Sequence, residues 1–334
     1  MSDRDDQQQP EQQEPIEPWF KFHGDGRSPT FEPPAPPPWR QFQQEGKSDH
    51  GGKFVPPPNS LKIINAAIYL RRPLLVTGKP GTGKTSLAYA IARELKLDLL
   101  RWNIGTRSIL QDALYRYDAI ARVQDRQDKK KGEETPVEDI GRYMRLGPLG
   151  TAIWSQPGKP RVLLVDEIDK SDIDLPNDLL HVLEEGKFEI QELQRIEGLR
   201  GKSVAIGTAL DADNKAEIID GKVTCREFPI VIMTSNGERD FPPAFLRRCL
   251  RLEMEQPERE RLCRIVVGYL GGDEAEIDSR YGKVLDAFLK LRDREFLATD
   301  QLLNAIYLVA QGQVSQDDLL ETLQAQLFKP LDKS

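Results

Sequence analysis

Short continuous apolar runs alternate along most of the chain with stretches whose apolar residues recur at helical spacing. LKIINAAIYL, from Leu61, has its apolar positions three and four apart, and Arg71, Arg72 and Pro73 stop it before the run LLVTG. That pattern predicts a helix and then a buried strand. The same logic predicts a helix over Lys84 to Leu95 (KTSLAYAIAREL), a strand in LDLLRWNI from Leu97, and a long helix in SILQDALYRYDAIARV from Ser108. A mixed-charge stretch from Val123 to Asp139 has no apolar period and reads as a solvated loop. After it the pattern predicts a short helix around Ile140 to Arg145, a GPLG turn at Gly147, a third strand RVLLVDE from Arg161 and a helix over Leu175 to Glu184. Residues 187 to 229 alternate apolar and polar over short runs with turn signals DADN and DG, the pattern of an antiparallel hairpin insertion. A fourth buried strand, PIVIMTSN, starts at Pro229, and a fifth spans Leu250 to Met254. Beyond Gln256-Pro257 the pattern is helical throughout.

Alternating strands and helices predict an α/β fold whose parallel sheet is covered on both faces. Three parts follow: an arm over 1–56, an α/β core over 57–256 and an all-helical unit over 257–334. The arm is rich in Gln, Glu, Gly and Pro, with PPAPPP at Pro33 to Pro38, and is expected to be largely disordered because it has little apolar surface to offset its ordering entropy. Trp19, Phe20, Trp39 and Phe42 interrupt this polarity, so a docked, polyproline-like arm stays open beside the linker reading.

Charge and cysteine usage narrow the partners. A net charge of -7 argues against a protein wrapped in nucleic-acid phosphates. No run approaches the roughly 18 apolar residues of a spanning helix, and MSDRDDQQQ lacks a basic flank with an apolar core, so a cytoplasmic location without membrane contact is expected. Cys225, Cys249 and Cys263 have no zinc-ligand spacing and read as free thiols.

The strongest chemical signal is GKPGTGKT: Gly78, Lys79, Pro80, Gly81, Thr82, Gly83, Lys84 and Thr85, followed by Ser86. Binding a triphosphate needs converging backbone N–H donors with no Cβ in the way, which the three glycines permit. Lys84 then reaches the β and γ phosphates, the Thr85 hydroxyl takes magnesium, and the following helix aims its positive end at the anion. VLLVDE ends an apolar strand in two carboxylates, Asp166 for the magnesium shell and Glu167 as general base toward water. Asp169 and Asp172 read as capping or solvent-facing. Asn236, at the end of the fourth strand, could orient that water, or be a turn residue. Arg247 and Arg248, in FLRRCLRL, could each offer a guanidinium to a neighbouring subunit's γ phosphate or form a surface salt bridge, with Arg248 the candidate for the first role and a salt bridge the simpler reading of Arg247.

Taken in order, GKPGTGKT, VLLVDEID, TSN and PPAFLRRC resemble the AAA+ ATPases over Ser60 to Ser334, and RLGPLGTAI with DEIDKSDIDLPNDLLHVLEEG resembles their MoxR branch. The resemblance implies a P-loop three-layer αβα core with sheet order 5-1-4-3-2, a helical lid, and a homo-oligomeric ring, usually hexameric, that hydrolyses ATP with Mg2+ between subunits. By matching positions, Lys84 and Thr85 carry the Walker A role, Asp166 and Glu167 the Walker B role, Asn236 the sensor 1 role and Arg248 the arginine finger. Where the lid often supplies a sensor 2 arginine, this chain reads Ala298, Thr299, Asp300; Arg292 or Arg294 could substitute, or the lid could depend less on the γ phosphate. The branch implies a chaperone-like remodeller of a protein partner, commonly one with a von Willebrand factor A domain. A regulatory nucleotide switch and a DNA-acting motor stay open, although no basic, aromatic-interleaved segment suited to nucleic acid is present. Tyr115 and Tyr117 beside Arg116 could line a pore or pack internally.

Overall fold

The computed structural model describes residues 21–22, 32–40, 54–57, 60–128, 137–196, 198, 200–210 and 214–330. Most of the arm, including Trp19, Phe20 and Phe42, lies outside them, as do residues 129–136 and the first three residues of the DADN turn.

Helix α1 (Ser60–Leu70) leads into β1 (Leu74–Thr77), then α2 (Lys84–Leu95) and β2 (Leu99–Asn103). After α3 (Leu110–Leu114), β3 (Tyr115–Tyr117), α4 (Ala119–Asp128), β4 (Met144–Leu146) and α5 (Pro148–Ile153), the chain enters β5 (Val162–Asp166) and α6 (Leu175–Glu185). Strand β6 (Lys187–Glu189), helix α7 (Gln191–Gln194) and strands β7 (Ser203–Gly207), β8 (Lys215–Ile219) and β9 (Lys222–Thr224) precede β10 (Ile230–Ser235), α8 (Pro243–Leu246) and β11 (Leu250–Glu253). Helices α9 (Arg259–Leu270), α10 (Glu274–Arg292), α11 (Thr299–Ala310), α12 (Gln316–Asp318) and α13 (Gln324–Leu327) follow.

The five parallel strands stand in the order β11-β1-β10-β5-β2, which is the expected 5-1-4-3-2. Their continuous apolar runs are buried on two faces at once. Leu74, Val76, Val162, Leu164, Ile230 and Ile232 pack with α1 and α2. Their neighbours Leu75, Leu163, Val165, Val231 and Met233 pack on the opposite face, toward α5 and α6. A period of two thus hides inside runs that read as uniformly apolar. Parallel register also puts every strand's carboxyl end on one edge, with Asn103 opposite Asp166 and Thr77 opposite Ser235.

A second sheet, ordered β3-β4-β7-β8-β9-β6, contains the expected hairpin: β7 pairs antiparallel with β8 from Ser203–Ile219 to Gly207–Lys215. It is wider than residues 187–229, because two segments expected to be helical supply strands. The helix predicted from Ser108 breaks at Tyr115, where β3 pairs with β4. Tyr115 is buried, its ring stacked on Phe188 at 6.4 Å and its hydroxyl donating to Glu192 at 2.8 Å. Strand pairing and aromatic burial outweigh the local helical period there. Tyr115 is therefore a packing residue, and the half-buried Tyr117 accepts a hydrogen bond from Arg122 at 3.0 Å. The helix expected at Ile140 to Arg145 is a 3-10 turn over Val137–Tyr143 followed by β4. The stretch read as loop from Val123 belongs, up to Asp128, to α4.

The GPLG turn opens α5, whose buried face presses on the end of α3. A Cβ on Gly150 would lie 1.9 Å from the Leu114 carbonyl oxygen, so this contact needs glycine. Helices α9 to α13 surround a separate cluster that includes Leu262, Val266, Leu285, Phe288 and Ile306. Among the described residues no helix is long and apolar enough to cross a membrane.

We expect Gly150→Ala to force the backbones apart and to lower unfolding free energy by about 1–3 kcal/mol, the range of core overpacking. Urea denaturation followed by circular dichroism measures it.

Candidate active site

Between β1 and α2 the chain must turn tightly without side chains in the way. Gly78, Gly81 and Gly83 take positive φ values of 147°, 76° and 93°, where residues with a Cβ are strained. The turn leaves the first N–H groups of the twelve-residue α2 facing an open cleft of about 700 Å³. Pro80 to Ser86 line this cleft, together with Arg101, Asp166, Glu167, Thr234 and Asn236. Lys79 turns away and sits over the Phe296 ring at 4.1 Å.

Lys84 is buried, and its Nζ donates to the carbonyls of Gly78 at 2.6 Å and Lys79 at 2.8 Å. Burial pushes its pKa down, opposed by the carboxylates of Asp169, Asp166 and Glu167. An anion entering the cleft offers this ammonium a better partner than two carbonyls.

Asp166 is the hub. Its Oδ1 accepts from Thr85 Oγ1 at 2.9 Å and from Thr234 Oγ1 at 2.7 Å, while its Oδ2 accepts from Arg101 at 2.6 Å. Arg101, on β2, is a site residue that sequence reasoning missed. Its only local signal is a charge inside an apolar strand pattern, which reads as solvent-facing until parallel register brings β2 beside β5.

Glu167 follows in the left-handed region at φ 61° and ψ 48°, a costly conformation for a residue with a Cβ. Its N–H donates to Thr234 Oγ1 at 2.8 Å, and its carboxylate pairs with Lys170 at 2.9 Å. That side chain is 44% exposed and lines the cleft. Asn236 also lines it, with its backbone N–H donating to Asp169 Oδ2 at 2.9 Å.

Asp169 departs from expectation. It is buried, 3% exposed, and holds the N–H groups of both Asn236 and Glu238. Its other oxygen has no hydrogen-bond partner. It therefore fixes the turn that carries Asn236 instead of capping a helix or facing solvent. Asp172 does cap, accepting from the Leu175 N–H at 2.8 Å as α6 begins.

Arg248 is not among the residues lining this cleft; its guanidinium pairs with Glu184 on α6 at 2.7 Å. The Arg72 guanidinium donates to the carbonyls of Arg247 and Arg248, locking the turn that presents it.

The C-terminal helices line the cleft's far side with Arg261, Ile265 and Tyr269 from α9 and with Thr299, Asp300 and Leu303 from α11. Neither Arg292 nor Arg294 reaches it among the lining residues; Arg292 donates to the Pro257 carbonyl at 2.6 Å and lies against the Phe288 ring. Asp300 sits in the first turn of α11, where a carboxylate suits the helix dipole. Among the described residues of these helices the cation lining the cleft is Arg261, and nothing in the local sequence pattern singled it out. A Cβ on Gly81 would come 2.6 Å from the Ala298 Cβ, so the loop abuts the lid directly.

The donor set fits a triphosphate with a hard divalent cation. Thr85 and Asp166 offer a hydroxyl and a carboxylate, the oxygen ligands magnesium takes alongside phosphate and water. Among the described residues there is no group of three or more His, Cys, Asp or Glu that could hold a metal ion.

Residues 74–257 match the family model described as ATPase family associated with various cellular activities (AAA). Over 75 residues the chain is 35% identical to Midasin of Dictyostelium discoideum, a match that spans 22% of this chain and 1% of that protein. Among solved structures it is similar to a single-residue variant of Thermotoga maritima RuvB at 14% identity and a TM-score of 0.40, over 79% of this chain and 66% of that one. The family match covers more than half of the chain and the cleft's loop, carboxylates and strand-end asparagine alike, so the chain belongs to the AAA family of ATPases.

Proposed function

We propose that this protein hydrolyses ATP with Mg2+ as a MoxR-type ring, and that it serves as a remodeller or maturation factor for a protein partner instead of a nucleic-acid motor. The single observation that supports hydrolysis best is the convergence of Lys84, Thr85, Asp166, Glu167 and Asn236 on one cleft while Arg248 stands outside it. Such a cleft is half of a site that a neighbouring copy completes. The division into a core over 57–256 and a lid over 257–334 is part of the same reading, with the cleft between them. A von Willebrand factor A domain partner belongs to it as well, on the MoxR-like motifs, and a cytoplasmic setting is proposed alongside.

Residues of the loop cradle the phosphates through backbone N–H groups, and Lys84 neutralises the β and γ oxygens. Thr85 and Asp166 would hold magnesium, which would supply charge to offset that of the phosphates. Glu167 leaves Lys170 and accepts the proton of a water held by Asn236. The water oxygen then bonds the γ phosphorus as the bond to the ADP oxygen breaks. Arg248, released from Glu184, stabilises the charge developing in the neighbouring subunit.

Lys84→Ala is expected to lose nucleotide binding, whereas Glu167→Gln keeps it and slows turnover by about 10²- to 10⁴-fold. Equilibrium binding and phosphate release measure the two, and a normal rate in Glu167→Gln would sink the base assignment. Mixing inactive Arg248→Ala subunits with Lys84→Ala subunits is expected to restore turnover, because each lacks a different half; no recovery means Arg248 serves only its pair with Glu184. Arg101 competes with the cation for Asp166, and its side chain is 44% exposed, which weakens the pair by solvent screening. We expect Arg101→Ala to lower the magnesium concentration for half-maximal nucleotide binding by on the order of five-fold.

A further inference from the structure

Part of the arm is seated on the lid. Residues 32–37 form neither helix nor strand, and Pro38–Arg40 make one 3-10 turn. Trp39 meets Tyr269 edge-on at 5.4 Å and Tyr307 at 5.6 Å, and its indole Nε1 donates to Asn304 Oδ1 at 3.2 Å. The Tyr307 hydroxyl donates to the Ala35 carbonyl at 3.0 Å. Prolines restrict this segment before it docks, so little entropy is lost on binding, and their carbonyls, unused by any ladder, need donors. Here the Tyr307 hydroxyl supplies the donor to the Ala35 carbonyl, the Asn304 amide oxygen takes the indole N–H, and the aromatic rings flank both, as in surfaces that read proline-rich peptides.

We infer that α9 and α11 carry a docking surface for proline-rich sequence, built from Tyr269, Asn304 and Tyr307, whose occupant is this chain's own Pro33–Trp39 segment. A second observation ties the surface to the cleft. Tyr269 touches Trp39 on one side and lines the candidate nucleotide cleft on the other. The arm returns to the same cleft at Phe54 and Val55, where Arg261 donates to the Val55 carbonyl at 3.1 Å. The arm therefore contacts two of the six lid residues that line the cleft, Tyr269 through Trp39 and Arg261 through Val55. The coupling rests on the proposed nucleotide reading; the docking does not.

A labelled peptide of residues 32–40 tests both. A tethered segment competes at an effective concentration on the order of millimolar, so the full chain carrying Trp39→Ala is expected to bind the peptide at least about ten-fold more tightly than wild type. Adding Tyr307→Ala to that variant should abolish binding, and Tyr307→Phe, which removes only the hydroxyl, should weaken it. Equal peptide binding by wild type and Trp39→Ala overturns the docking, as does full binding to the Tyr307→Ala double variant. If wild type gains peptide affinity on dilution, the occupant comes from a second copy and the assignment to the chain's own segment fails. ATP with magnesium is expected to change peptide affinity in Trp39→Ala at least about three-fold, a shift within the ordinary range of coupling between sites. Unchanged affinity in a chain that binds ATP directly overturns the coupling. A chain that binds peptide but no ATP refutes the nucleotide reading and upholds the docking.

Discussion

The carboxylate of Asp166 joins three strands that local structure alone would leave separate. Its oxygens gather Thr85 from the helix after β1, Thr234 from β10 and Arg101 from β2, at distances of 2.6 to 2.9 Å. A buried carboxylate without such donors would be costly, so the sheet's order and this hydrogen-bond set depend on each other. Parallel register is the precondition, because only parallel strands bring their carboxyl ends to one edge. The glycine loop, the left-handed Glu167 and the Asn236 turn are all arranged around that edge.

Two charges near it stand on partners that catalysis would have to take away. Lys84 donates to carbonyls of its own loop, and Glu167 pairs with Lys170. Arg248 is likewise paired with Glu184. Each of these pairs is exchangeable: an arriving phosphate would compete for Lys84, and in the proposed ring a neighbouring copy would compete for Arg248. The side chains of Lys84 and Glu167 are thus satisfied within the chain, and a ligand would redistribute their hydrogen bonds while the open N–H groups at the start of α2 take new ones.

The lid differs from the pattern its family resemblance implies. Asp300 lies where that pattern places an arginine, and the lid's cation in the cleft comes from α9 as Arg261. Its burial lowers the pKa, and its Nε holds the arm at Val55. Contact between Gly81 and Ala298 leaves no room for a Cβ at position 81, so glycine in the loop lets the two approach this closely. The arm, the lid and the loop therefore meet around one space.

Local sequence was enough for the parts of the molecule governed by local rules. Glycine spacing at Gly78 to Gly83, the apolar runs ending in Asp166 and Ser235, and the helical period after Pro257 each state a conformation directly. Strands at Tyr115–Tyr117 and Met144–Leu146 were not legible, because their helical spacing is overruled by pairing partners distant in the chain. Nothing in the local pattern marked Arg101 or Arg261, and Asp169 read as capping or solvent-facing, since a single residue carries no record of which strand or helix will face it. Sequence determined the loop, the carboxylate pair and the alternation of strands and helices, through backbone sterics and apolar periodicity. Tertiary structure alone decided which donors surround Asp166, which arginine the lid offers and where Trp39 rests, because those contacts join residues that only the folded chain brings together.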